Sequence, residues 1–318
     1  MAGTPVVTVA AGGLAVTETT LGAPVSEATP KFGIAVTKVA AGGLPVNYGA
    51  AAVSAEAAQF FSRVADPGAA RKTVYSTLID GLVSDGVWAK LDVLCMLAAA
   101  NSATALTNLK SASFNPTAVA APTFTADRGF TGNGTSSYLN SNFNPATAGG
   151  QYTLNSATLG SYIRSTNAAG ANVALIACFD GSNFAQFSGT AAALFGSVCL
   201  INNATASSDL ASRAAGLFIV SRSASNLTKV YVNGVASSMS DPAAASVAVP
   251  NANLFVSARN FGGGDLFSPL QCAAYVIGSG LNDAQALALT TRIDDYMTAV
   301  GADVAFIRRR PAIPEMPK

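Results

Sequence analysis

The stretch Phe261-Gly262-Gly263-Gly264-Asp265 places an aromatic ring and a carboxylate about a run of glycines, as an exposed ligand-binding loop would. Sugar recognition draws on exposed aromatic rings and planar polar groups, so Phe261, Gly262 and Asp265 form the candidate glycan or receptor loop. The other aromatic candidates, Tyr138, Tyr152, Tyr162, Phe184 and Phe187, stand at strand spacing, where a ring more often belongs to the core. Asp180-Gly181-Ser182-Asn183, and Asp265 beside its glycines, also offer oxygen ligands for Ca²⁺. The plainer reading of both is turn formation, with Asp and Asn bonding to their own backbone and Gly supplying the angles. Calcium is therefore a weak candidate, and otherwise no cofactor or metal is expected.

Acid–base and nucleophilic chemistry find little support. The chain has no histidine, which removes the usual general base and the commonest transition-metal ligand. Serine and cysteine schemes built on histidine are excluded with it. The four cysteines, Cys95, Cys178, Cys199 and Cys272, show no CxxC spacing, and three lie in apolar, strand-like runs. They read as buried free thiols, with a disulfide pair as the alternative. No catalytic residue is assigned and an enzyme is not expected.

Charged residues make up 11% of the chain and the formal net charge is +1. A typical soluble domain carries about 25%, so this surface suits a chain packed against neighbours. The charge balance gives no footprint for nucleic acid or an anionic membrane. The N-terminus lacks a basic region before its apolar residues, and the longest apolar run, Val93 to Ala100, is far short of the roughly 20 residues that span a bilayer. Neither a cleaved signal nor membrane insertion is expected.

Residues 1–50 carry an internal repeat in which a glycine is followed three places later by a valine. The pairs are Gly3 and Val6, Gly13 and Val16, Gly22 and Val25, Gly33 and Val36, and Gly43 and Val46, so the glycines recur at intervals of 10, 9, 11 and 10 residues. One turn plus one short strand per unit fits that period. Too few large apolar residues are present for a private core, so the arm is expected to dock on other chains; a floppy low-complexity leader is the alternative.

Residues 51–110 change to a helical pattern interrupted by a break at Asp66-Pro67, with Pro67 expected in a first turn. Val74, Leu78 and Leu82 share one helical face, and Val87, Leu91, Leu94 and Ala98 another, which predicts two short amphipathic helices. Trp88, the only tryptophan, is expected to anchor that pair against a sandwich. Beyond residue 110, short strands alternate with Gly, Asn, Ser and Pro: Val173–Phe179, Ala193–Ile201, Gly216–Arg222, Thr228–Val232, Asn253–Arg259 and Cys272–Ile277. Tyr231-Val232-Asn233-Gly234-Val235 predicts a type I′ hairpin. A closing helix follows, with Asn282 and Gln285 as a capping box and Gly301 as its end. Residues 302–318, with Arg308-Arg309-Arg310, Pro311, Pro314 and Pro317, read as an extended tail whose arginines dock on an acidic neighbour or are simply solvated.

The segment Leu78 to Leu94 resembles the helical lead-in before laminin-G-like, concanavalin A-like domains of tailed-phage and prophage virion proteins. Pro122-Thr-Phe-Thr-Ala-Asp-Arg-Gly-Phe-Thr-Gly-Asn-Gly134 and Ser137-Tyr-Leu-Asn-Ser-Asn-Phe-Asn-Pro145 are similar to that family's first strands. With the Val230-Tyr-Val-Asn-Gly-Val235 hairpin and the closing Tyr296-Met-Thr-Ala-Val-Gly301, the markers span roughly residues 60 to 301. The resemblance implies a mainly β, concanavalin A-like jelly-roll sandwich over 111–301, preceded by the β-repeat arm and helical lead-in. It further implies a setting on the surface of a capsid or tail, as a decoration, head fibre or tail fibre. The implied partners are other virion structural proteins, further copies of the chain, with a homotrimer preferred, and a host-surface glycan. Glucanases of that fold use paired carboxylates. Here Ser113–Gly280 holds no glutamate, only Asp127, Asp180, Asp209, Asp241 and Asp265, with no two close together on one strand.

Overall fold

A computed structural model describes residues 53–165, 172–190, 195–203, 215–240 and 245–304, together with residues 38–39 and 45–46. The chain divides into two units, 1–53 and 54–318.

In the first unit, β1 (Lys38–Val39) and β2 (Pro45–Val46) pair antiparallel, with Lys38 opposite Val46 and Val39 opposite Pro45. Val46 of the repeat thus lies in a strand. Gly3, Val6, Gly13, Val16, Gly22, Val25, Gly33, Val36 and Gly43 lie outside the described residues, as does the arginine and proline tail.

The second unit opens with α1 (Ala55–Phe61), whose first turn is capped by Ser54 Oγ accepting the Ala57 N–H. The next helix, α2 (Ala69–Ser84), starts after Gly68, so Pro67 precedes the first turn and does not form part of it. A single 3₁₀ turn, Trp88–Lys90, leads to β3 (Leu91–Met96), and Ser102–Ala105 forms α3. There follow β4 (Thr117–Val119), β5 (Thr123–Thr125), β6 (Gly129–Thr131), β7 (Tyr138–Asn140), β8 (Ala157–Ile163), β9 (Asn172–Phe179), β10 (Phe184–Thr190) and β11 (Phe195–Asn203). The remaining strands are β12 (Gly216–Ala224), β13 (Leu227–Val232), β14 (Val235–Ser240), β15 (Phe255–Val256), β16 (Arg259–Asn260), β17 (Gly264–Asp265) and β18 (Gln271–Gly278), and α4 (Asp283–Ala299) closes the unit.

These strands form two sheets of eight, which pack as a sandwich. One runs β11-β10-β9-β15-β7-β4, with β16 added to β9 and β17 to β16; the other runs β14-β13-β12-β8-β18-β6-β5, with β3 also on β18. The mainly β, two-sheet sandwich expected from the strand pattern is what forms.

The second helix expected over Val87–Ala98 does not form. Its apolar residues split by the period of two: Val93 and Cys95 face the space between the sheets, while Leu94 and Met96 face the helices. A short apolar run with both faces buried satisfies either period, and pairing with Ala274–Gly278 of β18 decides for strand. The same double burial runs through β12, where Phe218 and Val220 enter the sandwich and Leu217 and Ile219 meet Leu82, Leu289 and Ile293 in the helical layer. Trp88, expected to anchor that helix pair, is buried in this layer, where a 3₁₀ turn and β3 replace the second helix.

Two local signals act as expected. Asn233 and Gly234 both adopt positive φ, 53° and 78°, which gives the β13–β14 turn the backbone of a type I′ hairpin. At α4, Asn282 and Gln285 form the reciprocal capping box, and Gly301 takes φ 66° just beyond the helix. The strand expected over Asn253–Arg259 is broken instead into β15 and β16. Ser257 between them takes φ 63°, and its N–H donates to Leu175 O.

Candidate functional site

The Phe261 loop is the tip of the β16–β17 hairpin, in which Arg259 pairs with Asp265 and Asn260 with Gly264. Its turn is held by the Phe261 N–H donating to Gly263 O at 2.8 Å. Gly262 at φ 62° and Gly263 at φ 152° occupy backbone space disfavoured for other residues, and nothing stands within 4 Å of where their side chains would begin. The loop is therefore shaped by glycine and open above.

Three rings and two charged groups converge at this tip. Phe261 is 52% exposed and its ring lies 4.9 Å from that of Phe179, which stacks in turn on Phe184 at 3.9 Å. The Arg259 guanidinium sits 6.0 Å from the Phe179 ring and 5.8 Å from the Phe261 ring. Its Nε donates to Asp265 Oδ1 at 2.9 Å and its Nη2 to Asp265 Oδ2, a two-point pairing that fixes both side chains. Phe261, Gly262 and Asp265 are thus brought together. Phe179 and Arg259 join them without having been singled out in the sequence; the available signal was the symmetric placing of Arg259 and Asp265 about a glycine turn.

The other aromatic candidates separate by burial. Tyr152, Tyr162 and Phe187 are core residues, with Tyr152 Oη donating to Asn202 Oδ1 at 2.8 Å and Phe187 packed near Phe218. Tyr138 is half-buried and stacks on Phe255 at 4.2 Å.

Each described carboxylate of the sandwich has a structural partner. Asp180 behaves as a turn residue: Oδ1 accepts the Ser182 and Asn183 N–H groups and Oδ2 that of Asn251. Burial pushes its carboxyl up, but those three N–H groups outweigh this and hold it below the usual carboxylate range. Asp265 is paired with Arg259, and Asp127 with Arg71 at 2.6 Å. Asp209 and Asp241 lie outside the described residues. Among the described residues, no group of three or more Cys, Asp or Glu side chains is placed to hold a metal ion. Asp180 thus bonds to turn backbone, whereas Asp265 is held by the Arg259 side chain.

A cavity of about 250 Å³ opens elsewhere, lined by Asp92, Lys110, Ser111, Phe114, Gly150 and Gln151. Burial raises the Asp92 carboxyl above its ordinary value, partly offset by the Gln151 and Tyr152 N–H groups donating to it, each at 2.8 Å. Lys110 Nζ donates to Trp88 O at 2.8 Å and lies 4.8 Å from the Trp88 ring centre. These polar groups bind the chain's own backbone, so the hollow ties a loop down. All four cysteines are buried free thiols, not a disulfide pair. Burial pushes the Cys95, Cys199 and Cys272 thiols up to about 12, and raises Cys178 as well.

No family model and no curated protein matches this chain. Among solved structures it is similar to a mutant of Trypanosoma rangeli sialidase displaying trans-sialidase activity, at 13% identity and TM-score 0.48, over 71% of this chain and 40% of that one. The same sialidase in complex with 2,3-difluorosialic acid matches at 15% identity and TM-score 0.47, over 70% and 39%. The receptor binding domain of botulinum neurotoxin D matches at 10% identity and TM-score 0.44, over 64% and 53%. The chain thus spans about two fifths of the sialidase chains and half of the toxin domain.

Proposed function

We infer that this chain is a non-enzymatic structural component of a phage particle, a capsid decoration or head-fibre-type protein held by residues 1–50 with its sandwich projecting outwards. The observation that carries this reading is the β1–β2 pair, which shares its unit with none of the sandwich strands. Two residues per strand are too few to hold an isolated hairpin in water. The β1–β2 pair would gain stability by adding its strands to those of another chain. The low charge of the chain and the resemblance over residues 60–301 support a setting among other virion proteins and, by analogy, a homotrimer. The described sandwich carboxylates are engaged with Arg71, Arg259 or backbone N–H groups, which supports a scaffold without catalysis. Deleting residues 1–49 and following incorporation into particles tests the reading: loss of incorporation is expected, and normal incorporation overturns it.

A second reading, a tail-fibre or tail-tip protein that binds a receptor or glycan, is favoured by the exposed ring of Phe261 beside a polar pair. Inhibition of adsorption by the free chain tests it.

A further inference from the structure

We propose that the β16–β17 tip is a sugar-binding subsite that stacks one neutral pyranose ring on Phe261 and takes its neighbouring hydroxyls on Asp265 and Arg259. This rests on the second reading above and gives it a location and a ligand class.

The size of the apolar surface points to a sugar ring. The exposed large hydrophobic side chains among the described residues are Val53, Val83, Val235, Val247, Phe261 and Leu287, and of these only Phe261 belongs to this hairpin. One ring is far too small for a specific protein interface, which buries about 1,200 Å² or more in all. It does match the apolar face of one pyranose. Tyr and Phe contacts of this kind contribute through a rigid surface that loses little freedom on binding. Here the Phe261 ring lies against Phe179, which stacks in turn on Phe184, and nothing stands within 4 Å of where side chains at Gly262 and Gly263 would begin.

The polar half of the subsite is equally prepared. Asp265 keeps 38% of its side chain exposed and Arg259 20%, so both can still meet hydroxyl groups at the solvent side. A carboxylate has about four acceptor directions and a guanidinium five N–H donors, of which their mutual pairing uses only two each. The pair is neutral as a unit, so it neither attracts an anionic sugar nor repels an uncharged one. Vicinal hydroxyls, each both donor and acceptor, match a carboxylate and a guanidinium held side by side.

The test is saturation-transfer NMR on the full-length chain with a panel of neutral oligosaccharides of glucose, galactose, mannose, rhamnose and N-acetylglucosamine. At least one should receive saturation at its ring C–H protons. F261A should weaken that binding about tenfold or more, D265N should weaken it too, and F261W should restore it. Circular dichroism and unfolding midpoints of F261A should match the parent, since the ring is half exposed. Absence of saturation across the panel overturns the proposal, as does binding that F261A leaves unchanged. If F261A instead abolishes association between copies in sedimentation, the ring is a protein contact and the proposal is also overturned. Failure of the receptor reading is separate, because it would show as sugar binding that persists while the free chain leaves adsorption unchanged.

Discussion

Arg222 is a buried charge on which the closure of the sandwich depends. It follows Phe218 and Val220 on the inward face of β12 and is fully buried. Its Nε donates to Ile201 O of β11 at 2.7 Å, and its Nη1 to Ser225 O at 2.8 Å, so one side chain joins a strand of each sheet. Hydrogen bonds from a charged donor are worth about 1.5–3 kcal/mol each, and a buried carbonyl left without a donor costs about 1–3 kcal/mol. Arg222→Met keeps most of the volume but removes the charged donor from Ile201 O, while Ser225 O keeps the Ser246 N–H at 2.7 Å, which predicts a loss of about 1–3 kcal/mol after the relief of burying a charge is allowed for. Arg222→Ala adds a cavity, and the loss should exceed that of the methionine variant by about 1–2 kcal/mol. Against a total stability of about 5–15 kcal/mol such losses are large. Urea unfolding followed by the fluorescence of Trp88, buried in the helical layer, reads the midpoint directly. A methionine variant within about 0.5 kcal/mol of the parent, with unchanged slope, would refute the assignment of this arginine as a clamp between the sheets.

Other outcomes follow from single features. Gly234→Ala should destabilise by about 1–2 kcal/mol in the same unfolding assay, because the turn needs φ 78° and a Cβ would stand 2.9 Å from Leu287 Cδ1. Burial raises the Asp92 carboxyl, so the folded state holds that proton more tightly than the unfolded chain. This group therefore favours folding fully below its unfolded value of about 4, and the favour is lost as pH rises through the higher folded value. Asp92→Asn should remove that part of the slope of stability against pH, measured from urea midpoints between about pH 3 and 6; an unchanged slope would contradict it. With their thiols buried, Cys95, Cys178, Cys199 and Cys272 should resist iodoacetamide at pH 8 in the folded protein and all react in urea. Mass spectrometry counts the adducts, and rapid labelling of the native chain would show that the sandwich opens readily.

Features controlled by a few adjacent residues were legible in the sequence. The Asn233-Gly234 turn, the Asn282 and Gln285 cap and the body of strands such as β9, β12 and β18 depend on local angles, local hydrogen bonds and β propensity, and they stand where the residues indicate. So do the buried thiols, since a cysteine within an apolar strand faces one core or the other. The candidate loop was legible as residue types, Phe261, Gly262 and Asp265, but its platform was not. Phe179 comes from β9, more than eighty residues earlier, and only the pairing of β16 with β9 brings the two rings together. Leu91–Met96 was illegible for a related reason: with apolar residues on both faces the period carries no information, and the free edge of β18 decided for strand. Arg222 gives no local sign that it will be buried, because Ile201 O, its acceptor in the other sheet, reaches it only when the two sheets close. What the sequence determined by itself is what short-range sterics and hydrogen bonding control. Which face of each strand meets which layer, and which distant side chains share a site, depends on contacts between residues far apart in the chain, and these exist only in the folded molecule.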